Sequence, residues 1–112
     1  EILPVTRLAE DDREEHPEGL TLQTTDSGHP LLNGCNAGWT PLLGYNKLVA
    51  KREADVVISW QGDPILALGT YGRGRTFAWA SDCAPHWMPA AFCESENNRV
   101  LWGNVLRWAA GK

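Results

Sequence analysis

Between residues 54 and 82, the chain runs through three β-rich segments that are separated only by short turns. The segments are ADVVISW (54–60), ILALGTYG (65–72) and RTFAWAS (75–81). β-Branched and aromatic residues are frequent in them, as is typical of strands. The intervening QGDP and GRG are too short for the crossover helix that a parallel pairing needs. The sequence therefore predicts an antiparallel meander over residues 54–82.

A single helix is predicted over residues 95–110. Ser95 is a good N-cap, and Gly111 is typical of the position just after a helix. Apolar side chains recur at helical spacing at Leu101, Val105, Trp108 and Ala109. This stripe predicts a helix that buries Leu101 and Trp108 against the meander.

The remaining segments have weaker patterns. Residues 1–19 combine prolines with a dense charge run, and we expect an irregular arm with one short strand near Pro4. Alternation in 20–24 predicts a short strand, and KLVAK (47–51) predicts another. Residues 36–46, NAGWTPLLGYN, resemble a loop because they contain Pro41 and two glycines.

Length and composition limit the classes of function. A chain of 112 residues is enough for one small domain. The formal net charge of −4 disfavours binding to nucleic acid. No apolar run approaches the roughly 20 residues of a membrane-spanning helix, so no membrane association is predicted.

Cysteine and tryptophan content adds two expectations. The three cysteines, Cys35, Cys83 and Cys93, leave at least one thiol unpaired, which indicates a reducing, cytoplasmic setting. Six tryptophans are many for a chain of this size. We therefore expect residues 1–112 to be either one domain or one part of a larger protein. The surface left uncovered would be closed by the rest of that protein or by a second copy of the chain.

Two charged motifs have ordinary structural explanations. GRGR (72–75) could suit a phosphate loop, but strands flank it and no helix follows, so a hairpin turn is favoured. DDREEH (11–16) could bind a hard cation, but a charge run is usually a solvated surface.

The best candidate site is DCAPHW (82–87), at the end of the last predicted strand. A histidine such as His86 can act as the base for a thiol, and Asp82 could orient its imidazole. Residues that follow a strand often line clefts in open sheets. Alternatively, Cys83 and Trp87 pack in the loop, while Asp82 and His86 satisfy its backbone groups.

A metal site is a weaker hypothesis for the same segment. Asp82, Cys83, His86 and Cys93 include a Cys-x2-His spacing that zinc tolerates. No CxxC or HxxxH frame supports such a site. We predict no metal and no cofactor.

Several motifs, taken in order, resemble a known family. They are HPLLNG (29–34), LLGYNKLVAKREADVVIS (42–59), DPILALGTYGRGR (63–75), SDCAPHW (81–87) and LWGNVLRWAAG (101–111). Together they are similar to the C-terminal half of glutamine amidotransferase-like proteins, within the class I amidotransferase and trehalose-utilisation-like superfamily. The resemblance covers nearly the whole chain from about Leu20.

This resemblance implies a flavodoxin-like α/β fold of about twice this length. Residues 1–112, with the meander and the C-terminal helix, would be its C-terminal fragment, and the missing N-terminal half would be their partner. The resemblance also implies that a nucleophilic cysteine lies on a strand-to-helix elbow in the other half, and that the histidine of the triad follows a late strand. His86 lies near that position, although residue 88 is Met and the usual His-x-Glu pattern is missing.

Two function classes follow. In the first, the chain binds a small-molecule ligand or supports assembly, with Cys83 and Trp87 lining the pocket. In the second, it belongs to a cysteine-dependent amide hydrolase or amidotransferase. There His86 acts as the base, Asp82 orients it, and the missing half supplies the nucleophile.

Overall fold

The computed structural model describes residues 2–25 and 29–112. Within these residues the chain forms eight strands, one 3-10 helix at Pro30–Leu32 and two α-helices. The strands are β1 (Val5–Arg7), β2 (Arg13–Leu20), β3 (Gln23–Thr24), β4 (Leu42–Asn46), β5 (Leu48–Ala50), β6 (Asp55–Trp60), β7 (Asp63–Tyr71) and β8 (Gly74–Trp79). The α-helices are α1 (Ala90–Cys93) and α2 (Glu96–Ala109).

The predicted meander is confirmed. Strands β6, β7 and β8 pair antiparallel in sequence order, and β3 adds to the outer edge of β6, so that the sheet order is β3-β6-β7-β8. The hairpin between β7 and β8 closes at the Tyr71–Gly74 pair. Gly72 has a φ of 60°, which glycine tolerates in such a turn. GRGR is therefore the predicted hairpin turn and not a phosphate loop.

Of the two ribbons in the first half of the chain, the strands of one were predicted, near Pro4 and over 47–51, and those of the other were not. β1 pairs with β5, and β2 pairs with β4, in both cases antiparallel. The predictions of an irregular arm through residue 19 and of a loop through residue 46 were thus wrong for β2 and β4. From Arg13 to Glu18, side chains are mostly exposed or half-buried, so this charged strand lacks the apolar alternation that would reveal it.

His16, a half-buried residue of the charged strand β2, packs against two aromatic side chains. The His16 ring packs edge-on against Trp60 with centroids 4.6 Å apart, and it stacks on Tyr45 at 6.4 Å. Tyr45 is fully buried and donates a hydrogen bond of 2.5 Å to Asp63. Aromatic contacts of this kind supply the burial that the acidic side chains of β2 cannot.

The C-terminal helix is confirmed. The Ser95 hydroxyl accepts a hydrogen bond from the Asn98 backbone N–H, as an N-cap does. Leu101 and Val105 are completely buried in the core. Trp108, which we expected in the core, is only half-buried, because it lies at the rim, where the Arg75 guanidinium sits 5.3 Å from its ring.

The structure has mixed strands and helices, with an antiparallel meander and a C-terminal helix. Every pairing between the eight strands of the described residues is antiparallel. A flavodoxin-like sheet contains parallel strands, so that part of the fold assignment stays a prediction. Within residues 2–25 and 29–112, no helix is long and apolar enough to cross a membrane.

Candidate functional site

The candidate site is the loop over residues 80–88, which follows the end of β8. The Ala80 backbone N–H donates to the Ile65 carbonyl, so pairing with β7 continues one residue beyond the strand. Past Ala80 the chain turns away, and the Trp79 indole N–H donates to the Asp82 carbonyl at 2.8 Å. We call residues 80–88 the site loop.

Strand β4 holds the site loop at three points. The Asn46 N–H donates to the Ala80 carbonyl at 2.7 Å, and the Leu43 N–H donates to the Trp87 carbonyl at 2.8 Å. Between them, the Ser81 hydroxyl donates to the Gly44 carbonyl at 2.7 Å. The loop is therefore fixed at both ends by backbone groups.

Asp82 and His86 form a hydrogen-bonded pair within this loop. His86 Nδ1 lies 2.7 Å from Asp82 Oδ2, and the same oxygen accepts the Trp87 backbone N–H at 2.9 Å. The His86 side chain is 68% exposed and that of Asp82 is 35% exposed. The structure thus brings together the two residues that the sequence suggested as base and orienting acid.

The carboxylate determines which nitrogen of His86 carries the proton. A carboxylate only accepts, so Nδ1 donates to it, and in the neutral ring Nε2 is then unprotonated. The Trp87 N–H, followed by the hydrogen bond from His86, lowers the pKa of Asp82 and keeps this carboxyl ionised. Because the ionised Asp82 is hydrogen-bonded to Nδ1, Nε2 is the nitrogen that can accept a proton.

Trp87 packs against the His86 ring of the Asp82–His86 pair. Its ring is buried against Gly44, where an added Cβ would lie 2.7 Å from the indole. Its indole N–H donates to Glu15 Oε2 at 3.2 Å. The His86 ring stacks on it with centroids 5.5 Å apart and planes at 25°. Trp87 therefore links the imidazole to strands β2 and β4.

The cysteines have different environments. Cys83 is exposed, whereas Cys93 is half-buried in α1 and its thiol is 3.7 Å from the Met88 carbonyl. Over the described ranges 2–25 and 29–112, no cluster of three or more histidine, cysteine or acidic residues could hold a metal ion. The structure does not assemble the zinc set of Asp82, Cys83, His86 and Cys93.

Two residues of the site, Glu15 and Gly44, were not predicted from the sequence. Both lie in strands that the sequence did not reveal, and they face each other across the β2–β4 pair. Glu15 belongs to the DDREEH run, which looked like a solvated surface. Within that run nothing local distinguishes the carboxylate that contacts Trp87 from its neighbours.

Replacing Asp82 by Asn should produce a stability loss that depends on pH. Because folding lowers the pKa of Asp82, its stabilisation is complete above the unfolded pKa of about 4 and fades as pH falls through the lower folded value. Solvent screens the partly exposed carboxylate, so we expect about 0.5–1 kcal/mol at neutral pH. Urea unfolding between pH 3 and 7 would measure this effect. The difference in free energy of unfolding between wild type and variant should become smaller as the pH falls.

The variant His86→Gln is the control for this effect. It removes the imidazole but retains the Trp87 N–H, which is the larger cause of the shift. Most of the pH dependence should therefore survive in His86→Gln. If the pH dependence of stability were lost in His86→Gln as completely as in Asp82→Asn, then the Trp87 backbone hydrogen bond would not be the main cause of the lowered pKa of Asp82.

Comparisons with known proteins agree with the resemblance seen in the sequence. A family model described as "Putative glutamine amidotransferase" matches residues 1–111. No curated protein matches the chain. Two solved structures are similar to it, namely the cytoplasmic proteins STM3548 of Salmonella typhimurium and STM1381 of Salmonella typhimurium LT2.

The similarity to these two structures is high over the part that matches. STM3548 is 40% identical with a TM-score of 0.91, and STM1381 is 42% identical with a TM-score of 0.89. In both cases the match covers 96% of this chain but only 44% of the other. The chain therefore spans less than half the length of these relatives.

The order of the motifs, the position of the site loop after the last strand of the meander and the family match over residues 1–111 lead to one assignment. The chain belongs to the glutamine amidotransferase-like family.

Proposed function

We propose that this chain supplies the base of a thiol-dependent amide hydrolase or amidotransferase. His86 is the base and Asp82 orients it, while the nucleophilic cysteine comes from a part of the full-length protein outside residues 1–112. The whole protein would then have the flavodoxin-like fold and would work in the cytoplasm, as the names of the cytoplasmic proteins STM3548 and STM1381 suggest for those two relatives.

The hydrogen bond from His86 Nδ1 to Asp82 is the observation that supports this proposal most directly. It leaves Nε2 unprotonated on a ring that is 68% exposed. A thiol beside Nε2 would transfer its proton to the ring, giving a thiolate and an imidazolium that Asp82 stabilises. The orientation is set before any substrate binds.

The chemistry then follows the general course of acyl transfer. The thiolate attacks the amide carbon, and the His86 imidazolium returns its proton to the departing nitrogen, so that ammonia or an amine leaves. Water, deprotonated by the neutral ring, or an acceptor amine then cleaves the thioester and restores the thiol. Trp87 would form one wall of the pocket, and Cys83 would lie at its rim.

One observation favours the other function class, a ligand-binding role without catalysis. Met88 occupies the place where a His-x-Glu pattern would have its carboxylate, and its side chain is buried in the core. No acid can therefore reach His86 from residue 88. In our proposal Asp82, four residues before His86, is the acid that orients the imidazole, with its Oδ2 2.7 Å from Nδ1.

Alkylation of the full-length protein with iodoacetamide at pH 7 tests the proposal. A thiol paired with His86 should react fast because much of it is thiolate. His86→Gln should slow that reaction by roughly tenfold or more, since an ordinary thiol with a pKa near 8.5 is only a few per cent ionised. Mass spectrometry would identify the cysteine that reacts.

The matched control is His29→Gln. His29 also lies beside a carboxylate, with Nε2 3.2 Å from Asp55, but it is remote from the site loop in sequence. This variant should leave the fast reaction unchanged. If no cysteine reacts faster than a free thiol, or if Cys83→Ala abolishes the fast reaction, then no cysteine outside this chain is paired with His86, and the proposal fails.

A further inference from the structure

Strand β8 is an open edge of the four-stranded sheet. In the part of the chain that the structure describes, β7 is the only strand that pairs with it. The Tyr71–Gly74 pair and the hydrogen bond from Ala80 to Ile65 show that the even-numbered residues of this segment point their backbone groups at β7. By alternation, Arg75, Phe77 and Trp79 direct their N–H and C=O groups to the free side.

Both faces of this edge strand are partly covered, while its backbone edge is open. On one face, Phe77 and Trp79 pack against Trp102 of α2, with ring centroids 5.9 and 5.4 Å away. On the other face, Ala78 lines a groove of about 400 Å³ between β8 and the β1–β5 ribbon. Residues 76–79 of β8 are half-buried, as is expected of an edge that a further element completes.

Exposed apolar side chains are frequent on the ribbon that forms one side of the groove. Among the described residues, most of the exposed large apolar side chains lie on or beside the β1–β5 ribbon, namely Ile2, Leu3, Leu8 and Val49. Leu3 lines the groove itself, together with the buried Val5. The exposed Leu3 makes one side of the groove apolar, as is expected of a surface that another element covers.

We propose that the edge of β8 pairs with a strand from the part of the full-length protein outside these 112 residues. The two solved relatives match 96% of this chain and are more than twice as long, which leaves enough chain for a further half-domain that could supply this strand. Its strand would bind the outward backbone groups of Phe77 and Trp79, and adjacent apolar side chains would fill the groove.

This docking edge does not depend on the proposed catalysis, but it leads directly to the site loop. Trp79 ends β8 and Asp82 follows three residues later. A strand added at β8 would therefore end or begin beside the exposed face of His86. That position would allow the other half to present a thiol to Nε2, and the same contact would form in a non-catalytic ligand-binding protein.

Residue-resolved amide hydrogen exchange of the full-length protein tests the pairing. If a strand binds at β8, the outward amides of Phe77 and Trp79 should exchange at least about 100-fold more slowly than unprotected amides, and so should the inward amides of Thr76 and Ala78, which pair with β7. Fast exchange at both outward amides, beside slow exchange at both inward ones, would overturn the proposal.

Dilution separates the proposed occupant from a second copy. Protection by a strand of the same polypeptide does not change with concentration, so it should stay constant over a hundredfold dilution that light scattering shows to contain only monomer. Protection that disappears when a dimer dissociates would assign the edge to a second copy and contradict the proposal. Because neither result involves thiol alkylation, this test can fail while the proposed function stands, and the reverse is also possible.

Ala78→Glu in the full-length protein provides an independent measurement. The carboxylate would enter the groove and should speed exchange at Phe77 and Trp79 by roughly tenfold or more. Thr70→Glu, on the exposed end of β7, is the matched control and should leave both rates unchanged. Unchanged protection in Ala78→Glu would show that the groove is not filled by the partner strand.

Discussion

Replacing Phe92 by alanine is expected to lower the free energy of unfolding by about 3–5 kcal/mol. Phe92 is completely buried, and it is the largest core residue of the short helix α1. Its ring lies 6.3 Å from both Trp39 and Trp79, measured between centroids. Removing it would leave a cavity between the loop before β4 and the end of β8, where surrounding aromatic rings are too rigid to collapse fully.

Urea unfolding followed by circular dichroism would measure this loss. The matched control is Tyr71→Ala, which removes an aromatic ring from the exposed end of β7, where its relative exposure is 56%. That variant should change the free energy of unfolding by only a few tenths of a kcal/mol. A Phe92→Ala protein as stable as Tyr71→Ala would show that α1 does not close the core.

How far the sequence predicted the fold depends on how local each signal is. Helix α2 was predicted because the Ser95 cap and the stripe of Leu101 and Val105 lie within one short segment. The meander was predicted because its turns are too short for any other connection. Strands β2 and β4 were missed because their pairing joins residues about 30 apart, and the acidic β2 has no apolar alternation.

The residues of the candidate site also fall into a local group that the sequence could suggest and a long-range group that it could not. Asp82 and His86 lie four residues apart in one loop, so the sequence could suggest their pairing, and the structure places them in hydrogen-bonding contact. Glu15 reaches Trp87 across 72 positions, and Gly44 lies below the same ring only because β4 runs there. Such long-range contacts leave no pattern in a single sequence.

Gly44→Ala is expected to destabilise the protein by about 1–3 kcal/mol, the usual cost of forcing an extra methyl group into a filled space. The new Cβ would lie 2.7 Å from two indole atoms of Trp87, closer than packed atoms can approach. The β4 backbone holds the loop through Leu43 and Asn46, so strand and ring cannot both keep their places. We expect the indole to move away from Glu15.

Gly103→Ala is the matched control, and its effect on the free energy of unfolding should have the opposite sign. Its added Cβ would lie 3.4 Å from the mobile guanidinium of Arg107, which can shift. In the middle of α2, alanine should stabilise the helix by about 0.5–1 kcal/mol over glycine. Parallel urea titrations of the two variants would therefore separate a specific clash at Gly44 from a general effect of replacing glycine.

Movement of Trp87 in Gly44→Ala should also disturb the Asp82–His86 pair. The Trp87 N–H and the His86 ring share one carboxylate oxygen, so displacing the tryptophan removes a hydrogen bond that lowers the pKa of Asp82. NMR titration of the Asp82 carboxyl should then show a smaller lowering of its pKa in Gly44→Ala than in wild type or Gly103→Ala. A destabilised Gly44→Ala protein with an unchanged Asp82 titration would show that the position of Trp87 does not affect the carboxylate that holds His86.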